Sequence, residues 1–188
     1  MLSEIGTLVL NTLLGLLVYL GLLRFYMQVF RAPFRNPVGQ FVMGVTDWGV
    51  QPLRRVIPAW RGLDLASVAF AFVVQFVLLL AVDLLFAPPR IAGPGAVEWL
   101  VVAILELVRK SLHLLVAVVI VDVVLAWTNQ HTVVSPVLRS ITQPMYGFFR
   151  RFIPPIGGFD LSPLFLILAV QIGLILLNGL QGPLLRVI

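Results

Sequence analysis

Two clusters of charged side chains are the strongest candidates for chemistry in this sequence. Each contains an arginine pair followed by an aspartate: Arg54, Arg55 and Asp64 in the first, Arg150, Arg151 and Asp160 in the second. The arginines could clamp the aspartate in an ion pair that fixes the loop. Alternatively, they could bind the phosphate of an anionic lipid or the acidic face of a partner, since guanidinium groups recognise both. A third alternative is a role in ion selectivity. We favour the clamp because both charges recur at the same spacing in the two clusters.

A second set of candidates lies within apolar runs: Arg24, Gln75, Asp122 and Gln171. A carboxylate at the centre of a membrane helix costs about 2.5–3.5 kcal/mol, and less near the end of the helix. Asp122 therefore either forms a buried pair with Arg24, which lies at a similar depth, or faces the headgroups. We expect Gln75 and Gln171 to form hydrogen bonds across the helix bundle rather than to bind a substrate.

Motifs for catalysis or cofactor binding do not occur in this sequence. It contains no cysteine, no P-loop, and no GxGxxG, HExxH or GxSxG pattern. The two histidines, His113 and His131, lie at opposite ends of the apolar stretch Leu112–Trp127 and cannot share a site within one chain. We therefore predict a protein that is not an enzyme, with no cofactor and no metal.

The composition indicates which elements must position these residues. Hydrophobic residues make up 60% of the 188 positions and charged residues 11%, whereas soluble domains have about 45–50% and about 25%. This indicates an integral membrane protein, all-α, with four spans at about 5–30, 65–86, 97–127 and 163–180. The two long connections between spans then share one side of the membrane, and both termini share the other.

Basic residues are distributed unequally between these two sides. The side with the long connections carries nine of the 13 Lys and Arg residues, and the side with the termini carries four. The positive-inside rule places the long connections in the cytoplasm and both termini in the periplasm. We expect the basic residues to contact the bilayer, particularly anionic lipids, and we expect no direct contact with nucleic acid.

An internal duplication is the strongest signal in the chain. Residues 54–65 match residues 150–161 at seven of 12 positions, at an offset of 96. We predict two parallel helix–loop–helix repeats, 1–90 and 91–188, related by an axis along the membrane normal.

Proline and glycine shape the repeated loop. Prolines hold the chain extended and glycines permit a turn before the next helix; the positions are Pro58, Gly62, Pro154 and Gly158. Ser162 and Pro163 have the types expected of a helix cap and of the first helical residue.

An amphipathic stretch precedes each arginine pair. Such a segment lies in the membrane interface or re-enters the bilayer against neighbouring helices. We expect Pro52 and Pro144 to kink or break these stretches.

The motif of the second loop carries a specific resemblance. Thr142 to Pro144, the run Arg150-Arg151-Phe152-Ile153-Pro154, and the run Gly157 to Pro163 resemble the YggT (YlmG) family of small bacterial membrane proteins, in the two-repeat form of proteobacteria. Two positions depart from the family pattern. Asp122 replaces an arginine on the first helix of the second repeat, and Gln143 replaces an acidic residue.

The resemblance implies membership of a family linked to osmotic tolerance and potassium handling in bacteria, to cell-division genes in Gram-positive species, and to cytochrome b6 haem attachment in plastids. No enzymatic activity is implied. The leading hypothesis is an assembly or organising factor of the inner membrane, which contacts an unidentified membrane-protein partner or anionic lipid through its arginine-rich loops. The alternative is a small channel or transporter that handles ions, acting as a homo-oligomer because four helices enclose little space.

Overall fold

The computed structural model describes residues 1–58, 63–86, 95–128, 132–153 and 160–186. These residues form six helices: α1 (Leu2–Val29), α2 (Pro37–Val56), α3 (Leu65–Phe86), α4 (Ala96–Trp127), α5 (Ser135–Arg150) and α6 (Ser162–Arg186). Four of them, α1, α3, α4 and the part of α6 up to Leu180, are long and apolar enough to cross a membrane. The four predicted spans are confirmed, and the chain has the architecture of a multi-pass membrane protein.

Helices α2 and α5 are the amphipathic elements between the spans. Each contains a proline, Pro52 in α2 and Pro144 in α5, and each helix continues past it. The expectation that these prolines break the helix was therefore wrong, and the alternative, that they kink it, stays a prediction. A proline removes one backbone hydrogen bond, and the buried apolar face of each helix offsets this loss: Val50 and Ile141 are completely buried.

The helices pack so that both amphipathic elements adjoin one apolar core. α1 lies close against α3, where a Cβ on Gly21 would come within 3.1 Å of the Ala71 Cβ. The hydroxyl groups of Tyr26 in α1 and Ser111 in α4 are 2.5 Å apart and connect the first half of the chain to the second. The larger core cluster includes buried residues from five helices: Met27, Val42, Val119, Ile141 and Val170.

The order of elements is the same in residues 1–90 and 91–188, namely a long apolar helix, an amphipathic helix and a second apolar helix. This order agrees with the duplication, but the relation of the two halves as parallel repeats stays a prediction. The loop glycines Gly62 and Gly158 and the loop proline Pro154 lie outside the described residues.

The C-terminal end of α1 has an unusual residue in its cap. The Ala32 amide donates to the Met27 carbonyl and the Arg31 amide to the Gln28 carbonyl, which is the hydrogen-bond pattern of a Schellman motif. Arg31 occupies the left-handed position of this motif, with φ 51°. Glycine is usual there, because a side chain in this region costs about 1–2 kcal/mol.

Candidate functional site

Arg54 and Asp64 form an ion pair in the first half of the chain. The Arg54 Nη2 and Nε groups donate to the two carboxylate oxygens of Asp64 at 2.6 and 3.3 Å. The Ser67 hydroxyl, on the first turn of α3, donates to Asp64 Oδ2 at 2.6 Å. The aspartate side chain is only 6% exposed. The pair therefore ties the C-terminal end of α2 to the start of α3.

The surroundings of Asp64 favour its charged form. Burial alone would raise the pKa of this carboxyl group. The hydrogen bonds from Arg54 and Ser67, together with the charges of Arg54 and Arg24, lower the pKa below its ordinary value. The pKa of Arg54 is raised, first by its hydrogen bond to Asp64.

Arg24 is buried near the end of α1 and is held by α2. Its Nη1 donates at 2.7 Å to both the Thr46 hydroxyl and the Asp47 carboxylate, and Thr46 in turn donates to the Val42 carbonyl. The prediction that Arg24 pairs with Asp122 was wrong. The physical reason is that α2 lies across the end of α1 and brings Asp47, a carboxylate of the same half, into contact with the guanidinium group.

Asp122 occupies the corresponding place in the second half, with the opposite charge. It is 6% exposed and accepts a hydrogen bond of 2.8 Å from the Thr142 hydroxyl of α5. The prediction of a buried carboxylate is therefore confirmed, although without Arg24 as its partner, and the alternative that Asp122 faces the headgroups was wrong. The Tyr146 hydroxyl is buried and has no hydrogen-bond partner among the described residues. Burial, followed by the nearby charge of Asp122, raises the pKa of Tyr146.

Arg150 and Asp160 form the ion pair of the second half. Nε and Nη2 of Arg150 donate to the same oxygen of Asp160 at 2.9 and 2.6 Å, and Nη1 donates to Gln143 at 3.2 Å. This pair is more open than the first, because the arginine and aspartate side chains are 42% and 32% exposed.

The start of α6 is capped differently from the prediction. Asp160 Oδ1 accepts from the Ser162 backbone amide at 2.9 Å, while the Ser162 hydroxyl is buried without a partner among the described residues. Ser162 is thus the first residue of the helix and Pro163 the second. The capping role assigned to Ser162 was wrong, because Ser162 already lies within the helix and the Leu164 and Phe165 amides donate to the Leu161 carbonyl instead.

The other arginine of each pair is turned outward. Arg55 and Arg151 are exposed, and neither has an ion pair within the described part of the chain. Four exposed aromatic side chains lie on the same amphipathic segments: Phe41, Trp48, Phe148 and Phe152. Exposed arginines beside aromatic rings are typical of surfaces at the membrane interface.

Gln75 and Gln171 have different surroundings in the described structure. Gln75 is 2% exposed, and its Oε1 has no partner among the described residues, whereas Gln171 is exposed on α6. The prediction that both form hydrogen bonds across the bundle is not met by this arrangement, since α6 turns Gln171 away from its neighbours. Pro58, in the first loop, is exposed.

Several members of these networks were missed by sequence reasoning: Asp47, Ser67 and Tyr146. Thr46 and Thr142 were detectable as a pair at the offset of 96, without any indication of their partners. Within the described ranges, no three His, Asp or Glu side chains are grouped so that they could hold a metal ion.

Comparison with known proteins identifies the family of this chain. The sequence profile of the CCB3/YggT family matches residues 3–85 and again residues 101–181. The chain belongs to the CCB3/YggT family. An uncharacterized protein of Vibrio alginolyticus is 35% identical over 181 residues, covering 92% of this chain and 93% of the relative. The YggT protein of Escherichia coli K12, also uncharacterized, is 33% identical, covering 88% and 85%. No solved structure matches the chain.

Proposed function

We propose that this YggT-family protein is a non-catalytic organising factor of the bacterial inner membrane. Its two amphipathic helices and the arginines that follow them would form one contact surface for anionic lipid and for membrane-protein partners. In this arrangement the long connections are cytoplasmic and both termini periplasmic, as the distribution of basic residues indicates.

The observation that supports this proposal is that the two arginines of each pair have different environments. Arg54 and Arg150 form ion pairs with the aspartates that precede α3 and α6, whereas Arg55 and Arg151 remain exposed. Because these ion pairs hold the C-terminal ends of α2 and α5, the adjacent outer arginines are presented in one geometry, and less conformational entropy is lost when they bind.

Site-specific photocrosslinking in cells tests this surface. The crosslinking amino acid replaces Trp48 or Phe148, which are 66% and 58% exposed, or, as a control, Leu84 at the far end of α3, which is 80% exposed. We expect discrete adducts with lipid or membrane proteins at Trp48 and Phe148, and their loss when Arg55 and Arg151 are changed to glutamate. Appearance of the same discrete adducts at Leu84, or adducts indifferent to the charge reversal, would contradict the proposal.

A second candidate function, ion handling by a homo-oligomer, is favoured by Asp122. This carboxylate is buried next to two hydroxyl groups, those of Thr142 and Tyr146, and has no cationic partner among the described residues. Buried ionisable groups at membrane depth frequently mark ion or proton pathways. Potassium flux into vesicles of anionic lipid, compared between the natural protein and Asp122→Asn, tests this candidate. A flux that the substitution changes supports transport, and no flux from folded protein leaves the organising role ahead.

A further inference from the structure

A cavity of about 570 Å³ opens beside the C-terminal end of α1. It is lined by the side chains of that helix end, the following turn and the first ion pair: Met27, Gln28, Arg31, Ala32, Phe34, Arg54 and Asp64. Because the candidate span α1 ends at Val29, we expect the cavity to lie at the level of the lipid headgroups.

Arg31 is placed at this cavity in a strained conformation. Its φ of 51° is the left-handed conformation in which a glycine would close α1 equally well and without strain. Arg31 is exposed and has no ion pair within the described residues. Strained residues cluster at ligand sites, and the cap alone does not require a guanidinium group here.

The other polar groups of the cavity also have unused hydrogen-bonding capacity. Arg54 uses Nε and Nη2 for Asp64, and its Nη1 has no partner within the described residues. The Gln28 Oε1 is buried and likewise lacks a partner there. The cavity therefore contains two guanidinium groups, those of Arg31 and Arg54, and one carboxylate, that of Asp64. It also contains one hydrogen-bond acceptor without a donor among the described residues, the Gln28 Oε1.

We propose that this cavity binds the phosphate of a hydroxyl-bearing phosphate ester. Arg31 and the Nη1 of Arg54 would donate to the phosphate oxygens, and Gln28 Oε1 would accept from the hydroxyl group. A phosphatidylglycerol headgroup and a soluble phosphate ester share this chemistry. The lipid fits the depth of the cavity and its apolar wall of Met27, Ala32 and Phe34. This inference rests on the proposed function and assigns a specific site to its lipid contact.

The test is a titration of the full chain in neutral detergent with short-chain phosphatidylglycerol, short-chain phosphatidylcholine or glycerol 3-phosphate, followed by calorimetry. We expect one saturable phosphatidylglycerol per chain and at least tenfold weaker binding of phosphatidylcholine. Competition by glycerol 3-phosphate at millimolar concentration identifies a soluble ester as the ligand, and its failure to compete identifies the lipid. Absence of binding by all three compounds overturns the inference.

Arg31→Gly is the decisive variant, because it removes the charge and relieves the backbone strain together. We expect it to weaken phosphatidylglycerol binding about tenfold or more with a Tm that is unchanged or higher, and Arg31→Lys to retain most of the affinity. Arg35→Gly is the matched control, since Arg35 is an exposed arginine of the same turn, and it should change binding less than twofold. Equal losses in Arg31→Gly and Arg35→Gly, or none in Arg31→Gly, overturn the site.

The two proposals fail in different ways. Lipid binding that is insensitive to Arg31→Gly removes the cavity but leaves the proposed contact surface intact. If crosslinks at Trp48 and Phe148 persist in Arg31→Gly, the contact surface does not depend on the cavity. If the protein without the Arg31 substitution gives no crosslinks at Trp48 or Phe148, the proposed organising function itself is contradicted.

Discussion

The charged clusters of the two halves share an arginine–aspartate pair but differ at two helix positions. In the first half a buried arginine, Arg24, meets Thr46 and Asp47. In the second half a buried aspartate, Asp122, meets Thr142, and Gln143 follows where the first half has Asp47. The ion pair between residues ten apart is present in both halves.

This difference shows that the arginine–aspartate ion pair and the buried helix charge form independently of each other. The loop ion pair is local and needs only its own arginine and aspartate, so it is formed beside either buried charge. The contact between the apolar helix and the amphipathic helix uses a threonine in both halves, because a hydroxyl group can accept from Arg24 or donate to Asp122. In the first half the buried charge is therefore paired with an opposite charge. In the second half the buried carboxylate has no cationic partner among the described residues.

The largest expected difference between the halves comes from removing the buried charges. Arg24→Leu should lower the free energy of unfolding by about 2–3 kcal/mol, since two hydrogen bonds of a charged group are lost. Asp122→Asn should cost less than about 1 kcal/mol, because the amide keeps an acceptor for Thr142 and the desolvated charge is removed. Unfolding in mixed detergent measures both.

The double variant of these residues sharpens the comparison. Because Arg24 and Asp122 have separate partners, their effects should add to within about 0.5 kcal/mol. A double variant more stable than the sum would mean that the two side chains interact directly, contrary to the structure.

The next largest difference concerns the loop ion pairs. Arg54→Ala should cost about 2 kcal/mol, because it leaves the buried Asp64 with only Ser67 as a side-chain partner. Arg150→Ala should cost about 0.5–1 kcal/mol, because Asp160 and Arg150 are partly exposed to solvent. The same unfolding measurement applies, and equal costs would show that the difference in burial has no energetic consequence.

Acid pH should also affect the first half more than the second. The folded-state pKa values of Asp64 and Asp160 are both lowered from 3.8, so each group contributes stability above that pH and loses it as pH falls through the folded value. We expect Asp64→Asn to flatten the dependence of Tm on pH below about 4, and Asp160→Asn to do so less. A larger effect of Asp160→Asn would reverse the ranking of the two pairs.

The smallest expected difference in stability is between substitutions of the two serines at the starts of α3 and α6. Ser67→Ala should cost about 1 kcal/mol, because it removes the hydrogen bond of 2.6 Å to Asp64. Ser162→Ala should change stability by less than about 0.5 kcal/mol, since its hydroxyl group has no partner among the described residues. Thermal unfolding of the two variants side by side tests the different roles of the two hydroxyls.

Much of the fold was predictable because its signals are local. A run of about 20 apolar residues specifies a membrane span wherever it occurs, and the four spans were predicted within a few residues of the observed helices. The ten-residue spacing between arginine and aspartate allows the side chains to meet across one loop. The continuation of α2 past Pro52 was not predictable, because the burial that offsets the lost hydrogen bond comes from other helices.

The sequence by itself determined the spans, the amphipathic helices and the residues available for the loop ion pairs, since each depends on neighbours along the chain. Only the tertiary structure decided which partners the buried charges take. The packing of α2 across α1 gives Asp47 to Arg24, and that of α5 against α4 gives Thr142 to Asp122. Contacts between residues about 20 positions apart depend on how helices cross, and no spacing in the sequence specifies that crossing.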